Sequence, residues 1–247
     1  MRFRVTAIVS LALLCTTEPS NATPSTQIWI PSTDIQAFLK PHFGWDVYLS
    51  TNGIGTVSNG GITIGVLPFE KIGMEIGFDY RDFSGDHRFP LFVNAKVGVP
   101  EHALFSYSPA LAVGAYDFSF ANSSLKFNIL YGLVAMNIWK LGRFSVGGYK
   151  GAVGSDPQQT FYVISNPDSD AEDAGVLASW DRTMSEISDR LWLCVDFQSG
   201  KSAYGALSVG AAYSFTPSVG VIFGYNYYLD HAGTKPSITL QVDINAW

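Results

Sequence analysis

The sequence predicts an all-β protein, a single antiparallel up-and-down transmembrane β-barrel of about twelve strands. One observation is alternation: in segment 72–81, IGMEIGFDYR, large apolar residues occupy one face and glycines and charged residues the other. This period of two residues is that of a β-strand. A second observation is that the polar face mixes glycines with charges of both signs, which is typical of a barrel lumen. A third is the short turn Pro68-Phe69-Glu70-Lys71, which joins 72–81 to the alternating run 61–67.

Composition agrees with strands that cross a membrane. Hydrophobic residues make up 47% of the 247 residues and charged residues 15%, yet no apolar run approaches the roughly 20 residues that a spanning helix needs. An all-β barrel of this length forms one domain. The formal net charge of −6 and the lack of a basic stripe argue against a nucleic-acid partner.

Residues 1–22 are predicted to be a cleaved signal peptide. An apolar run at 5–14 follows two arginines and precedes the small-x-small site Ser20-Asn21-Ala22. A lipid-anchored protein is the alternative, but Leu14 is a poor residue before Cys15. Cleavage leaves Cys194 as the remaining cysteine, so an internal disulfide cannot stabilise the fold.

Residues 23–39 are predicted to be an N-terminal periplasmic or rim extension, ahead of a barrel at 40–247. The segment has two prolines and no clean period. We expect its apolar residues Ile28, Trp29 and Ile30 to pack on the periplasmic rim or inside the barrel mouth rather than to bind a cofactor.

The barrel strands follow in order, separated by connections rich in turn residues. A Gly/Asn-rich loop is expected at 51–60, and the longest connection, 151–174, is expected to face water because it carries an acidic run, although it also holds the apolar island FYVI at 161–164. The predicted strands are 40–50, 61–67, 72–81, 90–99, 109–118, 127–136, 143–150, 175–184, 191–198, one ending at 215, one after the turn 216–218, and 237–247.

Numbering the connections predicts the orientation of the barrel. The odd connections include the long 151–174 loop and the even ones include the short turns 68–71 and 216–218, which matches external loops and periplasmic turns respectively. This arrangement predicts two aromatic girdles. One comprises Trp45, Trp139, Trp180, Phe215 and Trp247 near the periplasm, and the other Phe78, Tyr80, Phe197, Tyr225 and Tyr227 near the exterior.

Taken together, these features resemble those of bacterial outer-membrane β-barrel proteins. The final ITLQVDINAW resembles the terminal signal that the barrel assembly machinery reads, with Trp247 as its aromatic, although Trp247 is out of phase with the preceding alternation, as if Ala246 were an extra residue. TPSTQIWIPSTD at 23–34 and WDRTMSEISDRLW at 180–192 resemble uncharacterised transporter-like, porin-like barrels. The resemblance implies an outer-membrane location, with lipids, lipopolysaccharide and the assembly machinery as partners, and it names no substrate.

Motifs for catalysis and cofactor binding are incomplete. Gly200-Lys201-Ser202 ends like a phosphate-binding loop, but Val195 stands where the first glycine is required. No HExxH or CxxC occurs, and neither Ser145 nor Ser208 has the flanking glycines of a nucleophile elbow. His42 and Asp46 lie about 13 Å apart along one strand face, too far for a hydrogen bond. We therefore expect no catalytic residue, metal or cofactor.

The inward-facing charged residues are the candidate functional residues. They form either an ion-pair network that fills the lumen or a charged constriction. Barrels of about eight strands are filled by side chains and those of about sixteen hold a channel, so twelve strands leave both outcomes open. Carboxylates outnumber cations, which favours cation passage. The candidates are Asp46, Glu75, Asp79, Arg81, Lys96, Arg143, Asp181, Asp196 and Asp243, with Lys40 on the same parity.

The leading functional hypothesis is an outer-membrane channel for passive passage of small hydrophilic solutes. One alternative is a plugged structural or surface-binding barrel. Another is an enzyme at the membrane rim that modifies lipid, which needs a histidine near a serine or carboxylate. His87, His102 and His231 fall in connections and in no recognisable motif. A soluble β-sandwich is disfavoured because the outward faces carry almost no charge between the girdles.

Overall fold

The computed structural model describes residues 25–52, 56–83, 91–119 and 126–246. In these ranges twelve antiparallel strands form a closed up-and-down barrel, in which each strand pairs with its sequence neighbours and β1 pairs with β12. This confirms the predicted fold class. The strands are β1 Pro41–Ser50, β2 Thr56–Gly65, β3 Gly73–Phe83, β4 Leu91–Val99, β5 Ala110–Phe118, β6 Ile129–Asn137, β7 Arg143–Lys150, β8 Ala174–Thr183, β9 Leu191–Gln198, β10 Ala206–Thr216, β11 Val219–Tyr228 and β12 Ser237–Asn245.

Helical structure is sparse in the described part. A 3₁₀ helix spans Trp139–Leu141 and a single turn, α1, spans Pro157–Thr160. No described helix is long and apolar enough to cross a membrane. The predicted signal peptide, 1–22, and Trp247, the predicted assembly signal, lie outside the described residues.

The predicted alternation of faces is observed in the strands. On β3, Glu75 is buried, whereas Phe78 is 47% exposed and Tyr80 56% exposed. β12 shows the same contrast between the buried Gln241 and the exposed Leu240. The outside of the barrel is thus covered by large apolar side chains while charged side chains point inward, as a lipid-facing surface requires.

β2 begins earlier than its sequence predicts. Ser58, Asn59 and Gly60 were expected in a loop, but they pair with Val47, Asp46 and Trp45 of β1. The backbone ladder overrides the weak strand preference of glycine and asparagine, because strand propensity depends strongly on pairing context.

We name the two ends of the barrel by their connections. The turn end carries the connections 66–72, 100–109, 138–142, 184–190 and 217–218. At the loop end, the described connecting residues are 51–52, 119, 126–128, 151–173, 199–205 and 229–236.

Residues 25–38, which we call the inner segment, lie within the lumen. Ile28 and Ile30 are 2% and 0% exposed. A bridge between Thr26 and Pro31 folds the first part into a tight hairpin, and a parallel bridge joins Phe38 to Gly65 at the turn end.

The inner segment extends further than the expected rim or mouth. Trp29 packs edge-to-face against Tyr48 and Tyr228, whose strands end nearby at the loop end. Near the turn end Ile35 lies over Gly73 and Gly98, where an added Cβ would come within 2.8 and 2.9 Å of it. Inward glycines thus provide the space that the segment occupies.

The 151–173 connection packs into the loop end. Phe161 is fully buried, stacks on Tyr204 at 5.4 Å and meets Phe127 at 6.4 Å. The Ser165 hydroxyl and amide both donate hydrogen bonds to Asp230 in the 229–236 connection. Phe161 and Val163 of the apolar island are therefore buried, whereas Tyr162 and most of the acidic run are exposed, as the sequence predicts for a connection that faces water. We call the 151–173 connection the lid.

Candidate functional site

A cavity of about 310 Å³ lies between the inner segment and the wall formed by β1 to β6. Aromatic rings of Trp29, Tyr48, Tyr204 and Tyr228 line it towards the loop end. The charged residues that line it are Asp46, Glu75, Asp79, Arg81, Lys96 and Asp117.

Arg81 is neutralised by Asp117. Its two Nη atoms donate to the two carboxylate oxygens at 2.9 and 2.8 Å, and the Tyr204 hydroxyl donates to the same carboxylate. The guanidinium also lies 5.0 Å from the centre of the Phe92 ring. A two-point pair of this geometry fixes both groups and cancels their charge.

Lys96 is neutralised in a similar way. Its Nζ lies 3.2 Å from a carboxylate oxygen of Glu75 and donates to the backbone carbonyls of Ser25 and Ser32 at 3.2 and 3.3 Å. The other Glu75 oxygen accepts the Gln36 amide at 2.6 Å. This pair therefore also fastens the inner segment to the wall.

Asp46 and Asp79 are different, because their partners are neutral amides. Asn94 donates to Asp79 at 2.6 Å, and Asn59 approaches Asp46 at 3.5 Å. Within the described ranges, neither carboxylate forms a salt bridge with a basic side chain. The β1 and β3 wall thus presents two carboxyl groups without a salt-bridge partner to the cavity.

On the opposite wall, Asp196 serves as an anchor of the inner segment. Its Oδ2 accepts the backbone amides of Ile28 at 2.8 Å and Trp29 at 2.9 Å, and its side chain is fully buried. Gln241 donates to the Ile28 carbonyl at 2.8 Å. Ile28 packs in a cluster with four wall residues, which are Trp192, Cys194, Ala212 and Ile222.

Arg143 and Asp181 form a second anchor. Arg143 Nη1 donates to both carboxylate oxygens of Asp34 at 2.7 and 2.6 Å, and its Nε donates to Asp181 at 3.0 Å. Asp181 also accepts from Gln27 at 3.0 Å and from the Trp192 indole at 3.1 Å. These predicted lumen residues therefore hold a peptide segment and do not line the cavity.

The histidines contact acidic, amide or aromatic groups. His42 lies 3.4 Å from Asp243 and 3.0 Å from Asn245 near the turn end. His102 lies 3.7 Å from Glu101, and the ring of His231 stacks on Tyr227. Among the described residues no histidine has a hydroxyl group as a hydrogen-bond partner, and no group of three or more His, Cys, Asp or Glu side chains is arranged to hold a metal. His87 lies outside them.

The structure separates the predicted lumen residues into four places. Asp243 lies beside His42, and Lys40 is exposed before β1. Arg143, Asp181 and Asp196 hold the inner segment. The cavity brings together the remaining five, Asp46, Glu75, Asp79, Arg81 and Lys96.

Sequence parity alone misplaces Asp117. It follows the inward Tyr116, so strict alternation would put it towards lipid, but the β4–β5 register shifts nearby and Asp117 has a positive φ of 54°. Its amide donates to the Asn94 side chain at 2.9 Å. A bulge of this kind redirects a side chain, and a strict two-residue period gives no sign of it.

Neither a family model nor a curated protein sequence matches the chain. Several solved structures are similar to the chain in fold. Outer membrane phospholipase A from Escherichia coli is 10% identical, with 86% of this chain and 98% of that chain covered and a TM-score of 0.50. The NanC porin is 9% identical, with 84% and 99% covered and a TM-score of 0.48. An OmpF complex with daunomycin from Salmonella typhi is 8% identical, with 83% and 96% covered and a TM-score of 0.40. The likeness is one of fold.

Proposed function

We propose that this bacterial outer-membrane β-barrel is a narrow channel for small hydrophilic solutes that its own inner segment holds closed. The observation that carries the proposal is the cavity of about 310 Å³ alongside that segment. The segment has a single backbone bridge to the barrel in the described part, Phe38 to Gly65. It can therefore leave the lumen while every strand pairing stays intact.

The charge of the cavity indicates which solutes pass. Arg81 and Lys96 are paired with carboxylates, whereas Asp46 and Asp79 meet neutral amides. Carboxylates at the wall of a pore favour cations. We expect a mild preference for small cations, and no cofactor is needed because the solute passes unchanged.

A plugged barrel that presents its loops to a partner is the second candidate. The observation in its favour is the number of wall groups that hold the inner segment. Side chains from β3, β4, β7, β8, β9 and β12 bond it directly, among them Glu75, Lys96, Arg143, Asp181, Cys194, Asp196 and Gln241.

An enzymatic activity is not part of the proposal. The likeness to a phospholipase is one of fold. Among the described histidines, His42 and His102 lie near carboxylates, but none has a hydroxyl partner that could serve as a nucleophile. Incubating the purified barrel with phospholipid vesicles and measuring free fatty acid would reveal a lipase if one were present.

Conductance across a planar lipid bilayer tests the channel. We expect the full chain to open rarely and a variant lacking residues 25–38 to conduct steadily. Arg143→Ala, which removes the anchor to Asp34, should open more often than the full chain. The matched control is Arg182→Ala, because Arg182 pairs with Glu186 outside the lumen. If the folded deletion variant conducts no better than lipid alone, the plugged barrel replaces the channel.

A further inference from the structure

We propose that the lumenal cavity is a binding site for small organic ammonium ions. The proposal rests on the proposed function only in taking the bound ion to be the solute that the channel passes. It combines three features of the cavity, which are two carboxylates without a cationic partner, a cluster of aromatic rings beside them, and a volume suited to a small molecule.

The carboxylates set the charge of the ligand. Asp46 and Asp79 accept hydrogen bonds from the neutral amides of Asn59 and Asn94 and form no salt bridge with a described basic side chain. A small ligand that neutralises them must be a cation. The described residues contain no group of three or more acidic, histidine or cysteine side chains arranged around one point. The cavity is therefore poorly equipped to replace the water shell of a metal ion.

The aromatic rings favour an organic cation. Trp29 lies between Tyr48 at 5.5 Å and Tyr228 at 5.6 Å, both nearly perpendicular to it, and all three rings line the cavity. The Trp29 indole is held in place by its hydrogen bond to the Tyr204 carbonyl at 2.8 Å. Aromatic faces attract ammonium groups and also pack against their alkyl substituents.

Strand geometry places the two kinds of group within reach of one small molecule. Asp46 and Tyr48 lie two residues apart on the inward face of β1, which separates them by about 7 Å along the strand. Asp79 lies on β3, two strands away, and faces the same cavity. The volume of about 310 Å³ is at the lower end of the usual range for ligand pockets.

Calorimetric titration of the full chain in detergent micelles at low ionic strength tests the proposal. The probes are choline and its uncharged carbon analogue dimethylbutanol, which has nearly the same shape. We expect choline to bind and dimethylbutanol to bind at least about tenfold more weakly, since only choline offers a positive charge to the carboxylates. Equal binding of the two, or no choline binding, would overturn the proposal without any variant.

Variants locate the site. Asp46→Asn and Asp79→Asn should each weaken choline binding about tenfold, and Tyr48→Leu should weaken it several-fold. Asp170→Asn is the control, because Asp170 is an exposed carboxylate of the 151–173 connection and does not line the cavity. Choline binding that is unchanged in both Asp46→Asn and Asp79→Asn would remove the assignment.

The same measurements separate this proposal from the channel itself. A barrel that conducts but does not bind choline keeps the channel and loses the ammonium site. A barrel that binds choline but does not conduct, even without residues 25–38, keeps the site and loses the channel.

Discussion

The wall of β7 to β12 and the wall of β1 to β5 both present glycines and carboxylates to the lumen, but the inner segment covers them very differently. On the first wall, Ile28 lies against Gly210 and Gly224, and Asp196 binds the amides of Ile28 and Trp29. On the second wall, Ile35 reaches the glycines near the turn end, while Asp46 and Asp79 face the cavity.

The comparison shows that an inward carboxylate can serve two purposes in one barrel. Asp196 acts as a cap for backbone amides and is fully buried. Asp79 meets side-chain amides at the cavity wall. The residue type and its place in the alternation are the same, so what differs is whether a peptide segment lies over it.

The largest expected difference between the walls is in stability. Asp196→Ala leaves two buried amides without an acceptor and should lower the free energy of unfolding by about 2–4 kcal/mol. Asp79→Ala, at the cavity wall where water can replace the carboxylate, should cost less than about 1 kcal/mol. Urea unfolding of both variants in micelles measures these changes in the free energy of unfolding. Equal losses would show that the two walls do not differ as described.

Replacing an inward glycine with valine should also affect the two walls differently. A Cβ at Gly224 would come within 3.0 Å of Ile28 and of Thr239, so Gly224→Val should displace the inner segment, cost about 1–3 kcal/mol and raise the frequency of channel opening. Gly44→Val is the matched control on β1, since a Cβ there meets no atom closer than 3.6 Å. A Gly224→Val barrel that opens no more often than Gly44→Val would contradict this reading.

The two walls should also contribute differently to ion selectivity. We expect weak cation preference at low salt that fades as the Debye length falls from about 10 Å at 0.1 M to about 3 Å at 1 M. Asp46→Asn should reduce it in the full chain. Asp196→Asn should change it only when residues 25–38 are deleted, because only then does Asp196 face the lumen. Reversal potentials under a salt gradient give the answer, and an effect of Asp196→Asn in the full chain would argue against its role as an anchor.

The smallest expected effect concerns the lid. Burial by itself would raise the pKa of Asp230, but hydrogen bonds from the Ser165 hydroxyl and amide and from the amides of Gly233 and Ile164 outweigh it, so the pKa lies below its ordinary value. The stabilisation is therefore complete above the ordinary carboxyl pKa of about 4 and is lost as the pH falls through the lowered value.

Proteolysis of the 151–173 connection measures that stabilisation. Cleavage should stay slow from pH 7 down to about 4 and accelerate only below it. At neutral pH, Asp230→Asn should be cleaved faster than Asp170→Asn. Asp170 is the control because its carboxylate is exposed and lies in the 151–173 connection itself. Equal cleavage of the two variants would mean that the contact with Ser165 does not hold the lid.

The barrel and the parity of most of its strands follow from the amino-acid sequence alone. Alternation is a local property, since each residue of a strand such as β3 faces either lipid or lumen according to its position in the period. Charged side chains are confined to the lumen by the cost of placing them against lipid, so Glu75, Asp79 and Lys96 could be assigned inward from their neighbours alone. Both end residues of β9, Leu191 and Gln198, were predicted correctly because turn-forming residues flank the strand on each side.

Which inward residues form a site depends on contacts that form when the whole chain folds. The inner segment has no period, and its position depends on contacts with Arg143, Asp181 and Asp196, which lie more than 100 residues away in sequence. Asp117 joins Arg81 through a bulge that strict alternation does not signal. The cavity is the space that remains once the segment has packed against one wall. Such space depends on all the surrounding side chains at once, and no local pattern in the sequence encodes it.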